Sequence, residues 1–463
     1  TRVHLINTST SEQSYFGTLY DQTGALLGEA QSPLNSSSIR GGGRLVLSSK
    51  EIEVIFGVSP WDGPAMLEVT GNGTFSLMTR LENPSGLFTN TNCATEKKLL
   101  NVGGVNSVDK SYLRLINTTD QELPEVRASL YTEQGDVVGA AEKVLVDALA
   151  PKEQIWITQQ TLVDKFGPDW SEVAMLEIHA GSELKLINLN YRSQQQTYFN
   201  FSCSESGSEL ERIFLQTSSL SENYSLSHII NTSDIPQSFL GTLYNSDGSR
   251  LGDADQALSR EPIAPKSRLV LDSADIEAIF GITAWDGPAV LEVRGDAAFN
   301  LVTKLKSPSG LVSNTNCVTK EQVHNVLGYD QTDLSYIRFI NLGDFALPEI
   351  LGSLFDAGGN KVGQGDVKII DSLAPKSHTW VSRDQIADAV GDTWNGTATF
   401  KVSSAPSDLR LLNLNLVNQQ TFFNFSCFET AESDENFAPV ITNLSEEILY
   451  TDQELFSFFV TGS

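Results

Sequence analysis

The sequence predicts an all-β protein made of four tandem β-sandwich, Ig-like modules in the order A-B-A-B, with one short helix per module. Three observations carry that expectation. The stretch "WDGPAMLEV" at 61–69 returns as "WDGPAVLEV" at 285–293, with one residue changed over an interval of 224. Other landmarks keep the same interval, Tyr20 with Tyr244 and Trp170 with Trp394 among them. Each long unit then divides again, because Trp61 is echoed by Trp170 and Cys93 by Cys203. Repeats of this length point to copied structural units and away from a single enzyme core.

The modules are read as 1–93 (A1), 112–203 (B1), 225–317 (A2) and 336–427 (B2). Linkers occupy 94–111, 204–224 and 318–335, and 428–463 is a tail or the opening of a further β domain. Within a module the order of events is constant. An alternating apolar strand ends in Ile-Asn, as in "YLRLIN". A hairpin follows with a Gly- and Asp-rich turn, such as "YDQTGALLG", where Gly supplies the positive φ that tight turns need. After a third strand comes a short helix. Ser48-x-x-Glu51 forms a capping box and Gly57 a stop; Ser382, Gln385 and Gly391 repeat the pattern. Past the Trp, a strand, a hairpin and a last strand lead to the Cys. In "LRLLNLNL" Leu and Asn alternate, which predicts a strand buried on one face. Seven strands in about ninety residues, with turn signals every 8–12, read as a sandwich.

Composition narrows function. The net charge of −27 repels phosphate backbones and anionic lipid, which argues against nucleic-acid partners. No apolar run approaches the ~18 residues of a membrane helix, so no membrane insertion is expected. Four cysteines, one per module, exclude a bridge within any module. Linkers of 18 residues let each B fold back beside its A, which predicts Cys93–Cys203 and Cys317–Cys427 disulfides and an extracellular or cell-surface setting.

Candidate binding residues are Trp61 and Asp62, with Trp285 and Asp286, because aromatic faces beside acids suit sugars. Core packing is the favoured reading of the Trp positions, since every module has a Trp there. Glu68, Glu177 and Glu292 recur, but Lys401 takes the fourth place, which reads as a solvent-facing strand position. His4, His179, His228, His324 and His378 show no metal-ligand spacing, and no nucleophile elbow or phosphate loop occurs. The acidic stretch 245–255 reads as a turn more than as a calcium loop. Sequons at Asn7, Asn117 and Asn231 sit inside the repeated strand motif and read as fold signatures. Neither catalytic residues nor a cofactor or metal site is expected.

The motifs "YLRLIN", "LYDQTG", "NPSGLFTN" (83–90) and "SPSGLVSN" (307–314) resemble tandem β-sandwich repeat modules of secreted and surface-exposed bacterial proteins. That resemblance implies accessory, scaffolding or adhesive roles and no shared catalytic set. The expected function is therefore a non-catalytic extracellular structural or adhesive repeat protein, in a surface fibre or filament. Its expected partners are copies of itself or other surface proteins. The alternative is a carbohydrate-binding array on a larger secreted protein, with glycans as partners.

Overall fold

A computed structural model describes all residues except 59–60, 62, 83–87, 91–98, 105, 169, 171–172, 193–196, 201, 203–210, 218, 316–322, 404–405, 427–428, 432–448, 452–453 and 457–463. Among the described residues the chain is all-β with four short helices, but its strands form an eight-bladed β-propeller and not four tandem sandwiches. Blade 1 holds Arg44–Ser48, Arg2–Asn7, Phe75–Glu82 and Phe88–Asn90; blade 2 holds Leu26–Pro33, Tyr15–Tyr20 and Met66–Gly71. Module B1 supplies blade 3 (Gln154–Thr158, Asp109–Asn117, Leu184–Arg192, Thr197–Asn200) and blade 4 (Lys143–Val146, Val126–Thr132, Val173–His179, Leu99–Gly103). Module A2 supplies blade 5 (Arg268–Leu271, Tyr224–Asn231, Phe299–Lys306, Val312–Asn314) and blade 6 (Gln256–Ala257, Phe239–Tyr244, Ala289–Gly295, Glu211–Gln216). Module B2 completes the ring with blade 7 (His378–Ser382, Leu334–Asn341, Leu409–Val417, Thr421–Asn424) and blade 8 (Lys361–Ile370, Ile350–Phe355, Thr397–Val402, Val323–Leu327).

The physical reason for the correction lies in what covers each sheet. Within a module the two blades do face each other; Val3 and Leu5 of blade 1 pack on Leu67 and Val69 of blade 2. The opposite faces are apolar too. Met66 of blade 2 meets Ile116, Ile187 and Leu189 of blade 3. Leu99 and Met175 of blade 4 meet Ile230 and Val302 of blade 5. Val290 of blade 6 meets Ile340, Leu412 and Leu414 of blade 7. The Leu/Asn alternation of Leu409–Val417 therefore does not mark an in-and-out strand: Asn413 and Asn415 are fully buried. The likeness to sandwich repeats fails at the same point, because a sandwich leaves its outer faces to water.

Stretches expected as linkers also belong to the ring. Leu99–Gly103, Glu211–Gln216 and Val323–Leu327 add the fourth strands of blades 4, 6 and 8. From the expected tail, Glu429–Ala431 pairs with Phe75–Glu82 of blade 1, tying the end of the last module to the first. Leu449–Thr451 and Glu454–Phe456 make a separate hairpin.

The repeated Ile-Asn has a job in every module. Each Asn side chain, at the end of its strand, donates Nδ2 to carbonyls of two loops. Asn117 reaches Gln121 at 2.7 Å and Ala150 at 2.8 Å; Asn231 reaches Ile235 at 2.8 Å and Ile263 at 2.9 Å; Asn341 reaches Phe345 at 2.8 Å and Leu373 at 3.0 Å. Asn7 does the same with Ser11 and Ile39. These buried amides are clips, so the sequons at Asn7, Asn117 and Asn231 are not open to a glycan in the folded chain. The helices form as the capping signals require. Ser48 and Glu51 make a reciprocal capping box before Ser49–Phe56, as Ser382 and Gln385 do before Arg383–Val390.

Modules join through one repeated seam. Gln154 N donates to Gln22 O at 2.9 Å, and His378 N to Ser246 O at 2.9 Å; Arg44 N donates to Ala357 O at 3.0 Å, which closes the ring. The hairpin turn must come close to do this. A Cβ on Gly24 would lie 2.0 Å from Pro151 O, and one on Gly248 would lie 2.1 Å from Pro375 O. Beside three seams stands a Tyr–Glu–Lys set. Lys152 pairs with Glu68 at 3.6 Å, Lys266 with Glu177 at 2.8 Å and Lys376 with Glu292 at 3.1 Å. The hydroxyls of Tyr20, Tyr131 and Tyr244 donate to the same carboxylates. The repeated Glu is therefore a seam residue and not a solvent-facing one. At the closing seam all three members change together, to Phe355, Lys401 and Gly42. Gly42, at φ +79, has no room for a side chain, since a Cβ would sit 2.7 Å from the Phe355 ring.

Two outcomes follow from these contacts. Asn231→Asp keeps the acceptor and loses the three contacts that Nδ2 donates, to Ile235, Ile263 and Ala264, so chemical denaturation should show a loss of about 2 kcal/mol. Gly42→Lys should cost about 2 kcal/mol or more through overpacking and a left-handed backbone. Adding Phe355→Tyr and Lys401→Glu, which rebuilds the set of the other seams, should recover the part of the thermal midpoint that a restored Lys–Glu pair supplies.

Candidate functional site

One position in the opening strand and one in the third strand together put a cation into each gap between modules. The first carries His4, Arg114, His228 and Arg338; the second carries Arg44, Gln154, Arg268 and His378. In blade 5, Arg268 comes from the third strand and sits 3.2 Å from His228 Nδ1. In blade 7 the roles are exchanged: Arg338 donates Nη2 to His378 Nδ1 at 2.6 Å.

These cations differ in what meets their charge. Arg268 donates to Glu133 at 2.7 Å and to Asn101 at 2.6 Å across the gap between blades 4 and 5. Arg44 donates to Asn325 at 2.5 Å, Thr399 at 2.6 Å and Ala398 O at 2.8 Å across the closing seam. Arg114 and Arg338 lie against indoles, their guanidinium carbons 4.7 and 4.8 Å from the rings of Trp156 and Trp380. Arg338 is 2% exposed, its Nε has no hydrogen-bond partner, and no described carboxylate pairs with it. Burial holds its pKa down to about 9. Burial and then the Arg338 charge push His378 down to about 2, so its ring is neutral and can accept.

Arg338 borders a cavity of about 350 Å³ between blades 6 and 7. One wall is Trp380, Leu412, Leu414 and Phe422 of blade 7; Leu305 of blade 5 adds to it. The opposite side is the "WDGP" turn, through Asp286, Gly287 and Pro288, and the loop with Leu220 forms the rim. Such a size and a mainly apolar lining with one charged group suit a small molecule.

Of the residues singled out in the sequence, Trp61 and Trp285 are core, at 6% and 5% exposure. A stacking platform needs a free ring face, and neither has one. Asp62 lies outside the described residues, while Asp286 is exposed at the cavity mouth. Cys93, Cys203, Cys317 and Cys427 all lie outside the described residues, and no disulfide occurs among the described ones. In the 245–255 turn Asp247 accepts from Ser249 N and Oγ, and Asp255 pairs with Arg294. Among the described residues no three His, Cys, Asp or Glu side chains gather as a metal site. Arg338 and Trp380 were not singled out from sequence. Their signal was an Arg inside an apolar strand, "YIRFIN", where A modules carry His.

The fold thus defines an eight-bladed propeller with cations set between its module pairs and a cavity at one of them. No family model and no curated protein matches the sequence.

The buried neutral imidazoles make stability depend on pH. Below the ordinary histidine pKa the unfolded chain takes up protons that the folded chain refuses. Stability is therefore full above about pH 6.5 and falls as pH drops toward the depressed folded values. His378→Gln, which installs the residue of module B1, should leave the melting midpoint unchanged at pH 7.5. Between pH 6.5 and 5 it should reduce the loss by up to about 1.4 kcal/mol per pH unit, one proton's worth.

Proposed function

We propose that this protein is a non-catalytic structural or adhesive module that works at a cell surface or outside the cell. The observation that carries the reading is the use made of its repeated ionic groups. Glu68, Glu177 and Glu292 each hold a lysine of the next module. Arg44 and Arg268 each bind across a seam. Groups committed to joining blades are poorly placed to act on a substrate, since catalysis asks several different groups to converge on one reacting atom. A rigid closed ring displays the turns between strands in fixed relation, which suits recognition of a macromolecular surface. The acidic total directs that recognition away from nucleic acid and anionic lipid.

The reading favours a compact body over a long rod, since successive modules return to the first and do not extend. Immobilised on a sensor, the protein should bind saturably to intact cells or purified surface proteins, and a panel of ester, glycoside, peptide and phosphate substrates should show no turnover. Turnover that tracks the purified protein and disappears in an Asp286→Asn or Arg338→Met variant would replace this reading with an enzymatic one.

A further inference from the structure

We propose that the cavity between blades 6 and 7 binds a small monocarboxylate with an apolar body, the carboxylate meeting Arg338 and the body lying along Trp380, Leu305 and Leu412. Four observations lead there. First, Arg338 is nearly sealed from water, and a buried cation is stable only with a counter-charge or full hydrogen bonding. Its protein partners supply neither: His378 is neutral, the Trp380 face offers only its quadrupole, and Nε is unpartnered. Second, the matching cations at two other gaps are met by protein. Arg268 has Glu133, and Arg44 has three oxygen acceptors. Arg338, by contrast, borders an open volume of about 350 Å³. A missing acceptor beside a vacant space is what a ligand anion would fill.

Third, the rest of the lining selects the ligand. Leu305, Leu412, Leu414 and Phe422 give an apolar wall that a bare inorganic anion could not use. Fourth, the charge count favours a single negative group. One guanidinium serves the cavity, and Asp286 stands at its mouth, where it repels a dianion more than a monoanion. A guanidinium fork matches a carboxylate in planar geometry. This proposal is independent of the adhesive role, because it rests on the lining of one seam and its test reads a small molecule and not a cell surface.

Calorimetric titration of the purified full chain would test it, with phenylacetate and hexanoate as probes. Phenethyl alcohol serves as the neutral counterpart and inorganic phosphate as the bare anion. A carboxylate probe should bind and raise the melting midpoint, the alcohol should bind at least tenfold more weakly, and phosphate should not compete. Arg338→Met, which replaces a buried charge by a shorter, unbranched apolar chain, should keep or raise the melting midpoint in the absence of ligand and lose at least tenfold in carboxylate affinity. Two rim variants keep the test independent of folding. Leu220 is 68% exposed, so Leu220→Glu should leave the fold intact and weaken binding, while Asp286→Asn should strengthen it. Equal affinity for the alcohol, competition by phosphate, unchanged affinity in Arg338→Met, or no binding of either carboxylate at millimolar concentration would each overturn the proposal.

Discussion

Blades 2 to 7 of this molecule are small sheets with two apolar faces, and both have to be covered. A sheet of three or four strands cannot do that with one neighbour. Pairing within a module covers one face, as Leu5 and Leu67 show, and leaves the other bare. A row of four modules would still expose a face at each end. Closing the row removes both ends at once, and the seam between blades 8 and 1 does so with the same backbone bond seen between blades 2 and 3 and between blades 6 and 7. The hairpin glycines, the Asn clips and the paired lysines all serve that requirement.

Charge does the work of selecting register between the blades. Apolar faces slide easily over one another; an ion pair or a guanidinium with fixed acceptors does not. Lys376 with Glu292 and Arg268 with Glu133 fix where one module sits on the next. The closing seam uses another lock, Arg44 on Asn325 and Thr399, with Gly42 beneath the Phe355 ring. A different lock at one seam marks the place where the ring closes.

Much of the local structure was legible from residue patterns. The capping boxes at Ser48 and Ser382 stand where their spacing put them, because a cap depends only on neighbours three residues apart. The hairpin turns also follow from their glycines. The candidate site was less legible. Trp61 and Trp285 have counterparts in every module, which already favoured core packing over a binding platform, and both are buried. Glu68 and its copies looked like surface because Lys401 replaced one of them. Only the partners at Lys152, Lys266, Lys376 and Gly42, each on another module, show that this exchange belongs to the closing seam. Arg338 drew no notice, since an arginine within an apolar strand gains meaning from the cavity beside it.

By itself the sequence determined the copying of one unit, its all-β character, its helices, its turns and its acidic total. These rest on short-range patterns and on composition. Tertiary structure decided that the modules close into a ring of blades, that stretches taken for linkers are strands, and that one buried arginine faces open space. Periodicity along a strand reports which residues are apolar, but not which neighbour covers them. That depends on strands hundreds of residues apart, such as Arg44 against Asn325, and only the folded chain brings them together.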